Sequence, residues 1–239
     1  MICEYSGMID LYYWPTPNGK KVSIMLEECE LPYNTIKVNI GAGDQFKGEF
    51  LSVSPNNRIP AIVDRETGVS VFESGAILMY LAEKAGKFMP QEQKAKYEVL
   101  QWLFWQMAGL GPMAGQLSHF VNYAPEPVPY AHTRYEKEYD RLLGVMNTRL
   151  EDRAFLAGDY SIADIASFPW VAPYKRFGTS LDAFPNLRRW FDEIKVRPAV
   201  RRGMDLGDDW SKSSNLTDEE ARKVLFGQTA ESISKARKV

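Results

Sequence analysis

Thr16 and Asn18 supply side-chain hydrogen-bonding groups to a short turn, Pro15-Thr16-Pro17-Asn18-Gly19, between a predicted strand and a predicted helix. Residues 8–14 are rich in aromatic and branched side chains, which favours a buried strand. After the turn, apolar residues recur at helical spacing: Val22, Met25, Leu26 and Cys29. A helix N-terminus carries unpaired N–H groups and partial positive charge, so it stabilises an anion such as a thiolate. The sequence therefore predicts either a thiolate site or a turn in which both residues only cap the helix.

Ile59-Pro60 stands just before a third predicted strand, Ala61-Ile62-Val63-Asp64. The peptide bond before a proline is often cis at such a position, because cis costs much less there than before other residues. The backbone N–H and C=O groups of Ile59 would then point outwards, and an extended peptide could pair with them as an added strand. The alternative is an ordinary trans proline at the start of a strand.

Glu73-Ser74 begins the helix that follows the fourth predicted strand, residues 69–72. A carboxylate binds an ammonium group, whereas a hydroxyl and the free N–H groups of a helix N-terminus bind a carboxylate. An ammonium and a carboxylate occur together on the α-carbon of a free amino acid, so the pair suggests such a ligand. The alternative is that Ser74 only caps the helix.

The rest of the sequence offers one further candidate binding residue and little support for other kinds of catalytic or metal chemistry. Arg134 lies among tyrosines on a predicted helix, where it is either a binding residue or a solvated surface arginine. His119 and His132 lack metal-ligand spacing with any other histidine or cysteine, so we expect no metal site. The sequence shows no paired carboxylates, phosphate-binding loop or Ser-His-Asp arrangement.

Composition narrows the function classes further. Apolar residues make up 45% of 239 residues and the net charge is −2, which is typical of a soluble protein and favours neither nucleic acid nor a membrane surface. We find no membrane span and no secretory signal, and we therefore expect a cytoplasmic protein. The two cysteines, Cys3 and Cys29, make no disulfide framework, and Cys29 is expected to be buried. Any thiol chemistry would need a thiol from outside the protein.

The order of predicted elements indicates two domains and a tail. Strands and helices alternate over residues 8–87, as βαβ, a ββ hairpin and a helix, which predicts a small mixed sheet with helices packed on it. Residues 92–207 are helical throughout, with a bend or break expected at Gly109, Gly111 and Pro112. Ser161 and Asp164 form a capping-box pattern before an apolar run. Residues 208–239 form a polar tail, with a possible helix over 218–225.

Together these segments resemble the glutathione transferases, over residues 8–204. The resemblance rests on the following segments: PTPNG, SPNNRIPAIVD, FESGAILMYLAEK, LQWLFWQMAGLGPM and YSIADIA. The PTPN turn and the QWLFWQ segment are similar to the bacterial nu class, whose members act as glutathione-dependent disulfide-bond reductases. The resemblance implies a thioredoxin-like α/β N-terminal domain and an all-α C-terminal domain.

The resemblance also implies roles for particular residues. Thr16 and Asn18 would hydrogen-bond the glutathione sulfur, and these two are the catalytic candidates. The glutathione-binding candidates are Gln45 and Arg58 for the glycyl end, Ile59 and cis Pro60 for the cysteinyl part, Glu73 and Ser74 for the γ-glutamyl end, and Arg134, reaching the site from the helical domain, for a second glutathione molecule. Ser161 and Asp164 carry over as a structural capping box.

The function that follows is a cytoplasmic, homodimeric, glutathione-dependent disulfide oxidoreductase. Glutathione is its co-substrate, two molecules to a site, and its other substrate is a small disulfide or an electrophile. Conjugation of glutathione to electrophiles and glutathione-dependent thioether cleavage are alternatives at the same site. A non-enzymatic regulatory protein of the same fold is the alternative of another class.

Overall fold

The computed structural model describes residues 8–212 and 219–236 of the 239-residue chain. These residues form two compact units. The first contains the residues up to Leu81 and those from Arg202 onwards, and the second is Ala82–Arg201. Cys3 lies outside the described residues, as does Asp218, where the sequence placed the start of a helix. No helix in the described part of the chain has the length and apolar character needed to cross a membrane.

The first unit is built on a mixed four-stranded sheet. Its strands are β1 (Ile9–Tyr13), β2 (Tyr33–Lys37), β3 (Ala61–Asp64) and β4 (Ser70–Phe72). The strand order is β2-β1-β3-β4, with β1 and β2 parallel and the other two pairings antiparallel. The parallel pair needs a crossover, which the first helix provides, whereas β3 and β4 need only a short hairpin. The predicted order of strands and helices is therefore confirmed.

Three helices lie between and after these strands: α1 (Pro17–Cys29), α2 (Gly48–Val53) and α3 (Ser74–Ala85). The predicted apolar stripe of α1 is buried, including Cys29. On α3, Ile77, Leu78 and Leu81 are fully buried. Burial of these apolar side chains holds both helices on the sheet, because burying one large aliphatic side chain stabilises the fold by roughly 1.5–3 kcal/mol.

The second unit is helical. Its helices are α4 (Gln93–Trp105), α5 (Gly111–Asn122), α6 (Pro129–Arg149), α7 (Ile162–Val171) and α8 (Pro185–Lys195), and α9 (Pro198–Asp205) runs across the boundary into the first unit. The break expected between residues 109 and 112 takes the form of a five-residue π-helical turn, Gln106–Leu110. The turn passes directly into α5 at Gly111, followed by Pro112, which lacks an N–H group to donate.

The capping box of α7 is confirmed and forms the polar centre of this unit. Ser161 accepts from the N–H of Ala163, and the Asp164 carboxylate accepts from the N–H of Ser161 at 3.0 Å. Asp164 also accepts from the N–H of Leu156 (3.0 Å) and from Nε1 of Trp190 (2.8 Å). Burial raises the pKa of Asp164 to about 6, and these donors act against that rise. One carboxylate thus joins the start of α7 to a loop and to α8.

The C-terminal segment packs on α1, which the sequence did not predict. Besides the end of α9, it contains α10 (Asp208–Lys212), α11 (Glu219–Phe226) and α12 (Ala230–Ala236). The buried Lys20 ammonium donates to the carbonyl oxygens of Met204 and Leu206 and pairs with Asp208 at 2.8 Å. Trp210 packs beside Tyr13 and Trp14. The division into a domain over residues 8–87, a helical domain over 92–207 and a tail over 208–239 stays a prediction.

Replacing Asp164 by alanine removes the carboxylate that accepts hydrogen bonds from Leu156, Ser161 and Trp190. We expect Asp164→Ala to lower the free energy of unfolding by about 3 kcal/mol or more, because several buried donors lose their partner at once. Asp159→Ala, at an exposed aspartate of the preceding loop, is the matched control and should change stability little. Chemical denaturation measures both. Equal midpoints for the two variants would show that the buried network is not a main source of stability.

Candidate functional site

A cavity of about 280 Å³ lies in the first unit, where the β1–α1 turn, the start of β3 and the start of α3 meet. Its lining residues are Asn18, Asn56, Arg58, Ile59, Pro60, Phe72, Glu73 and Ser74. Six of these eight residues were predicted from the sequence. Asn56 and Phe72 were not singled out, although both lie within or beside the segments that carried the resemblance.

Thr16 is the N-cap of α1. Its Oγ1 accepts from the N–H of Gly19 at 3.2 Å, and its backbone is extended, as N-cap residues require. A hydroxyl that accepts through its oxygen still holds a hydrogen to donate. Asn18 lines the cavity, whereas Thr16 does not. Capping by Thr16 is therefore observed, and it leaves the hydroxyl able to donate to a ligand.

The turn is tight because Gly19 has no side chain. A Cβ on Gly19 would lie 2.3 Å from the Trp14 carbonyl oxygen and 2.9 Å from Cε2 of Tyr13. No side chain fits in that space. The first turn of α1 can therefore lie directly against the end of β1, which brings Asn18 to the mouth of the cavity.

The Ile59-Pro60 peptide bond is cis, as the resemblance implied. The Ile59 side chain packs against the buried cluster of Val38, Phe50 and Ala61, and these contacts hold it in position. Ile59 and Pro60 both line the cavity through the segment that enters β3. The backbone at Ile59 is thus held beside the turn that carries Asn18.

Glu73 and Ser74 form the opposite wall. Glu73 has φ of 71°, a left-handed conformation that costs energy for a residue with a side chain and is common at functional sites. Its carbonyl accepts from the N–H of Ile77 in the first turn of α3, and its carboxylate accepts from Nδ2 of Asn56 at 3.3 Å. Ser74 is the first residue of α3 and is buried. A carboxylate, a hydroxyl and a helix N-terminus therefore lie side by side.

Lys21 lies behind this wall, and the sequence analysis missed it. It is only 1% exposed, and its Nζ lies 3.3 Å from Oγ of Ser74. Burial lowers the pKa of Lys21 to about 7, and the negative charge of Glu73 acts against that shift. The available signal was spacing, since Lys21 is four residues before the buried Met25 and so lies on the same face of α1.

Gln45, Arg58 and Arg134 occupy three different environments. Gln45 is 1% exposed and donates through Nε2 to the Ile40 carbonyl, and it does not line the cavity. Its Oε1 is buried without a hydrogen-bond partner. Arg58 is exposed at the cavity. Arg134 belongs to the helical unit, is 58% exposed and lies 3.7 Å from Glu138. The structure thus brings Arg58 into the cavity, and it buries Gln45 outside the cavity lining.

A second cavity, of about 450 Å³, lies in the helical unit and is lined in part by Trp102, Trp105 and Arg149. Arg149 packs over the Trp102 ring, pairs with Glu98 and donates to the Leu156 carbonyl. Two of the charged residues that line this cavity, Arg149 and Glu98, therefore pair with each other. No group of His, Cys, Asp or Glu suited to a metal ion occurs in residues 8–212 and 219–236.

Family models match both units of the chain. The model "Glutathione S-transferase, N-terminal domain" matches residues 8–83, and the model "Glutathione S-transferase, C-terminal domain" matches residues 121–198. The chain belongs to the glutathione S-transferase family. The predicted fold, a thioredoxin-like α/β domain followed by an all-α domain, is thereby confirmed.

The chain is 51% identical to the disulfide-bond oxidoreductase YfcG of Escherichia coli, over 86% of this chain and 100% of that protein. It is 42% identical to the disulfide-bond oxidoreductase YghU of the same organism, over 82% and 73% of the two chains. A glutathione transferase family member from Pseudomonas fluorescens, solved with two glutathione molecules bound, superposes with a TM-score of 0.79 at 44% identity, covering 85% and 95%. The Pseudomonas putida glutathione transferase, solved with one glutathione disulfide per subunit, gives 0.80 at 43%, covering 86% and 94%.

The space around each glycine predicts different effects for two glycine-to-alanine substitutions. We expect Gly19→Ala to lower the free energy of unfolding by about 1–3 kcal/mol, because the added methyl group overlaps a backbone oxygen. Gly48→Ala is the matched control, since a Cβ there meets nothing within 4 Å. At the first position of α2 it should leave stability unchanged or raise it by up to about 1 kcal/mol. Thermal unfolding measures both, and an unchanged Gly19→Ala protein would contradict the role assigned to the turn.

Proposed function

We propose that this protein is a glutathione-dependent disulfide-bond oxidoreductase of the nu class, cytoplasmic and homodimeric. The observation that carries the proposal is the cavity itself, because it gathers Asn18, the Ile59 backbone, Glu73 and Ser74 around one space. These groups match the thiol, peptide and amino-acid parts of glutathione in turn. The names of the two Escherichia coli relatives support the choice of disulfide chemistry.

In this proposal, glutathione lies extended across the cavity. Its γ-glutamyl ammonium pairs with the Glu73 carboxylate, and its γ-glutamyl carboxylate accepts from Ser74 and the N-terminus of α3. Its cysteinyl backbone pairs with Ile59 as an added strand edge. Arg58 contacts the glycyl end, since it is exposed at the cavity, whereas Gln45 is buried outside the cavity lining.

Asn18 and Thr16 then activate the thiol. A free thiol has a pKa of about 8.5, so a depression of about one unit or more makes it mostly thiolate at neutral pH. Hydrogen bonds from the Asn18 amide and the Thr16 hydroxyl, together with the N-terminus of α1, favour the thiolate over the thiol. The observed N-cap geometry of Thr16 supports this role, because its oxygen already accepts from Gly19 and its hydrogen remains to be donated.

The reaction needs two glutathione molecules. The first thiolate attacks one sulfur of the substrate disulfide, which forms a mixed disulfide and releases the other sulfur as a thiolate that takes up a proton. The second glutathione thiolate attacks the glutathione sulfur of the mixed disulfide, which releases the remaining substrate thiol and forms glutathione disulfide. Two glutathione thiols are oxidised and one disulfide is reduced. Cys29 is buried, and no cysteine is among the described residues that line the cavity, so both sulfurs come from glutathione.

A disulfide exchange assay tests the proposal. We expect turnover of hydroxyethyl disulfide with glutathione and a coupled reductase to exceed conjugation of an aryl halide. Asn18→Ala should lower disulfide turnover by about ten- to a hundredfold, because one hydrogen-bond donor to the developing thiolate is lost. Asn34→Ala, at an exposed asparagine of the edge strand β2, is the matched control and should keep its turnover.

Strong conjugation with weak disulfide turnover would instead assign the same site to an ordinary transferase. Unchanged turnover in Asn18→Ala would overturn the proposed activation of the thiol.

A substitution at Arg134 tests its proposed role in binding a second glutathione molecule. Arg134 and Arg141 are each 58% exposed and each pairs with Glu138, so they form a matched pair. We expect the protein to bind two equivalents of glutathione, and Arg134→Met to weaken the second by about five- to tenfold through loss of a charged hydrogen bond. Arg141→Met should bind both equivalents of glutathione with unchanged affinity. Calorimetric titration measures the two affinities, and two unchanged equivalents in Arg134→Met would remove Arg134 from the site.

A further inference from the structure

We propose that Lys21 is a positioning residue of the γ-glutamyl subsite, whose buried ammonium orients the Ser74 hydroxyl and balances the charge of the ligand carboxylate. The inference rests on the proposed function, because it assigns a residue to that same glutathione site. Lys21 itself is not among the residues that line the cavity, so it acts through Ser74.

The hydrogen bond between Lys21 and Ser74 sets the direction of the hydroxyl. An ammonium group has three hydrogens and no lone pair, so Lys21 can only donate to Oγ of Ser74, at 3.3 Å. The hydroxyl hydrogen of Ser74 must then be directed to another acceptor. A carboxylate in the cavity, next to the N-terminus of α3, is such an acceptor. A neutral Lys21 amine, in contrast, can accept that hydrogen and turn the hydroxyl away from the cavity.

The charge of Lys21 depends on what occupies the cavity. Its side chain is only 1% exposed, so an ammonium there loses most of its hydration. The charged group that faces it is the Glu73 carboxylate at the start of α3, and burial outweighs that attraction. The neighbouring Lys20 ammonium on α1 is bound to Asp208 of the C-terminal segment. On β1, the Tyr13 hydroxyl donates to a carbonyl oxygen of the same segment.

Glu73 is also the group assigned to the ligand ammonium, so ligand binding changes the balance at Lys21. When the γ-glutamyl ammonium pairs with Glu73, that carboxylate is shared between two cations. The γ-glutamyl carboxylate brings a compensating negative charge beside Ser74. Because burial places the pKa of Lys21 at about 7, the empty protein holds it mostly neutral at pH 8. Binding of the carboxylate should therefore be accompanied by uptake of a proton.

The same burial predicts a cost in stability. The pKa of Lys21 in the folded protein lies below its value of 10.5 in the unfolded chain, so the unfolded chain binds more protons between pH 7 and 10.5. Stability therefore increases with pH across that interval, as the cost of burying the ammonium disappears. A residue that lowers stability near neutral pH yet lies against the ligand subsite fits a functional role.

Proton-linked calorimetry tests the inference. S-methylglutathione has no thiol hydrogen, so its binding at pH 8 reports on the protein rather than on thiol ionisation. Titrations in phosphate and in Tris, which differ in ionisation enthalpy, give the number of protons exchanged. We expect an uptake of about half to one proton per ligand in the unmodified protein.

Two lysine substitutions complete the experiment. Lys21→Met should abolish most of the proton uptake and raise the Kd at least about tenfold, since a charged hydrogen-bond partner is lost. Its unfolding temperature at pH 7 should not fall, because a buried ammonium has been replaced by an apolar chain of similar length. Lys87→Met makes the same change at an exposed lysine and should keep both the uptake and the Kd. Any proton exchanged by the amino group of the ligand is the same for all three proteins, so it cancels when their proton uptakes are compared.

The outcomes separate this inference from the proposed function. Binding by the unmodified protein without proton uptake overturns the role of Lys21 alone, even where Lys21→Met fails to fold. Equal proton uptake in the unmodified protein and in Lys21→Met also overturns the role of Lys21. Absence of binding by the unmodified protein overturns the glutathione site itself, and the role of Lys21 with it.

Discussion

The contact between Gly19 and the Trp14 carbonyl is the constraint on which the cavity depends. The missing side chain lets the first turn of α1 lie against the end of β1. One turn of helix then carries both Asn18, on the cavity, and Lys21, behind it. The start of α3 has to fit against this turn, which brings Ser74 to Lys21. The parts of the candidate site at Asn18 and at Ser74 are therefore positioned by the same short piece of backbone.

Local signals made much of the fold predictable. Alternating and helical spacing of apolar residues placed the strands and helices of the first unit, since each element there buries one regular face. The capping box at Ser161 and the interruption near Pro112 were readable because they depend on residues close in sequence. The cavity residues at Ile59-Pro60 and Glu73-Ser74 were found in the same way, as residues next to the ends of strands.

Features that depend on distant parts of the chain were not predictable. Lys21 shares a face of α1 with Met25, but spacing does not show that its ammonium reaches Ser74 on α3 and is buried there. Asn56 lines the cavity and donates to Glu73, 17 residues away. Gln45 was assigned to the ligand from the resemblance, and its burial appears only in three dimensions. In each case the deciding partner lies on another element.

The attachment of the C-terminal segment to α1 has a consequence for the order of events during protein synthesis. Lys20 and Tyr13 find their acceptors on residues that leave the ribosome some 190 positions later. The N-terminal sheet can form early, but the Lys20 ammonium of α1 stays hydrated by water until residues 204–208 have been made and pack against it. Such long-range closure is slow compared with local folding. The first unit therefore gains these contacts only after residue 208 has been made, whatever the speed at which its first strands assemble.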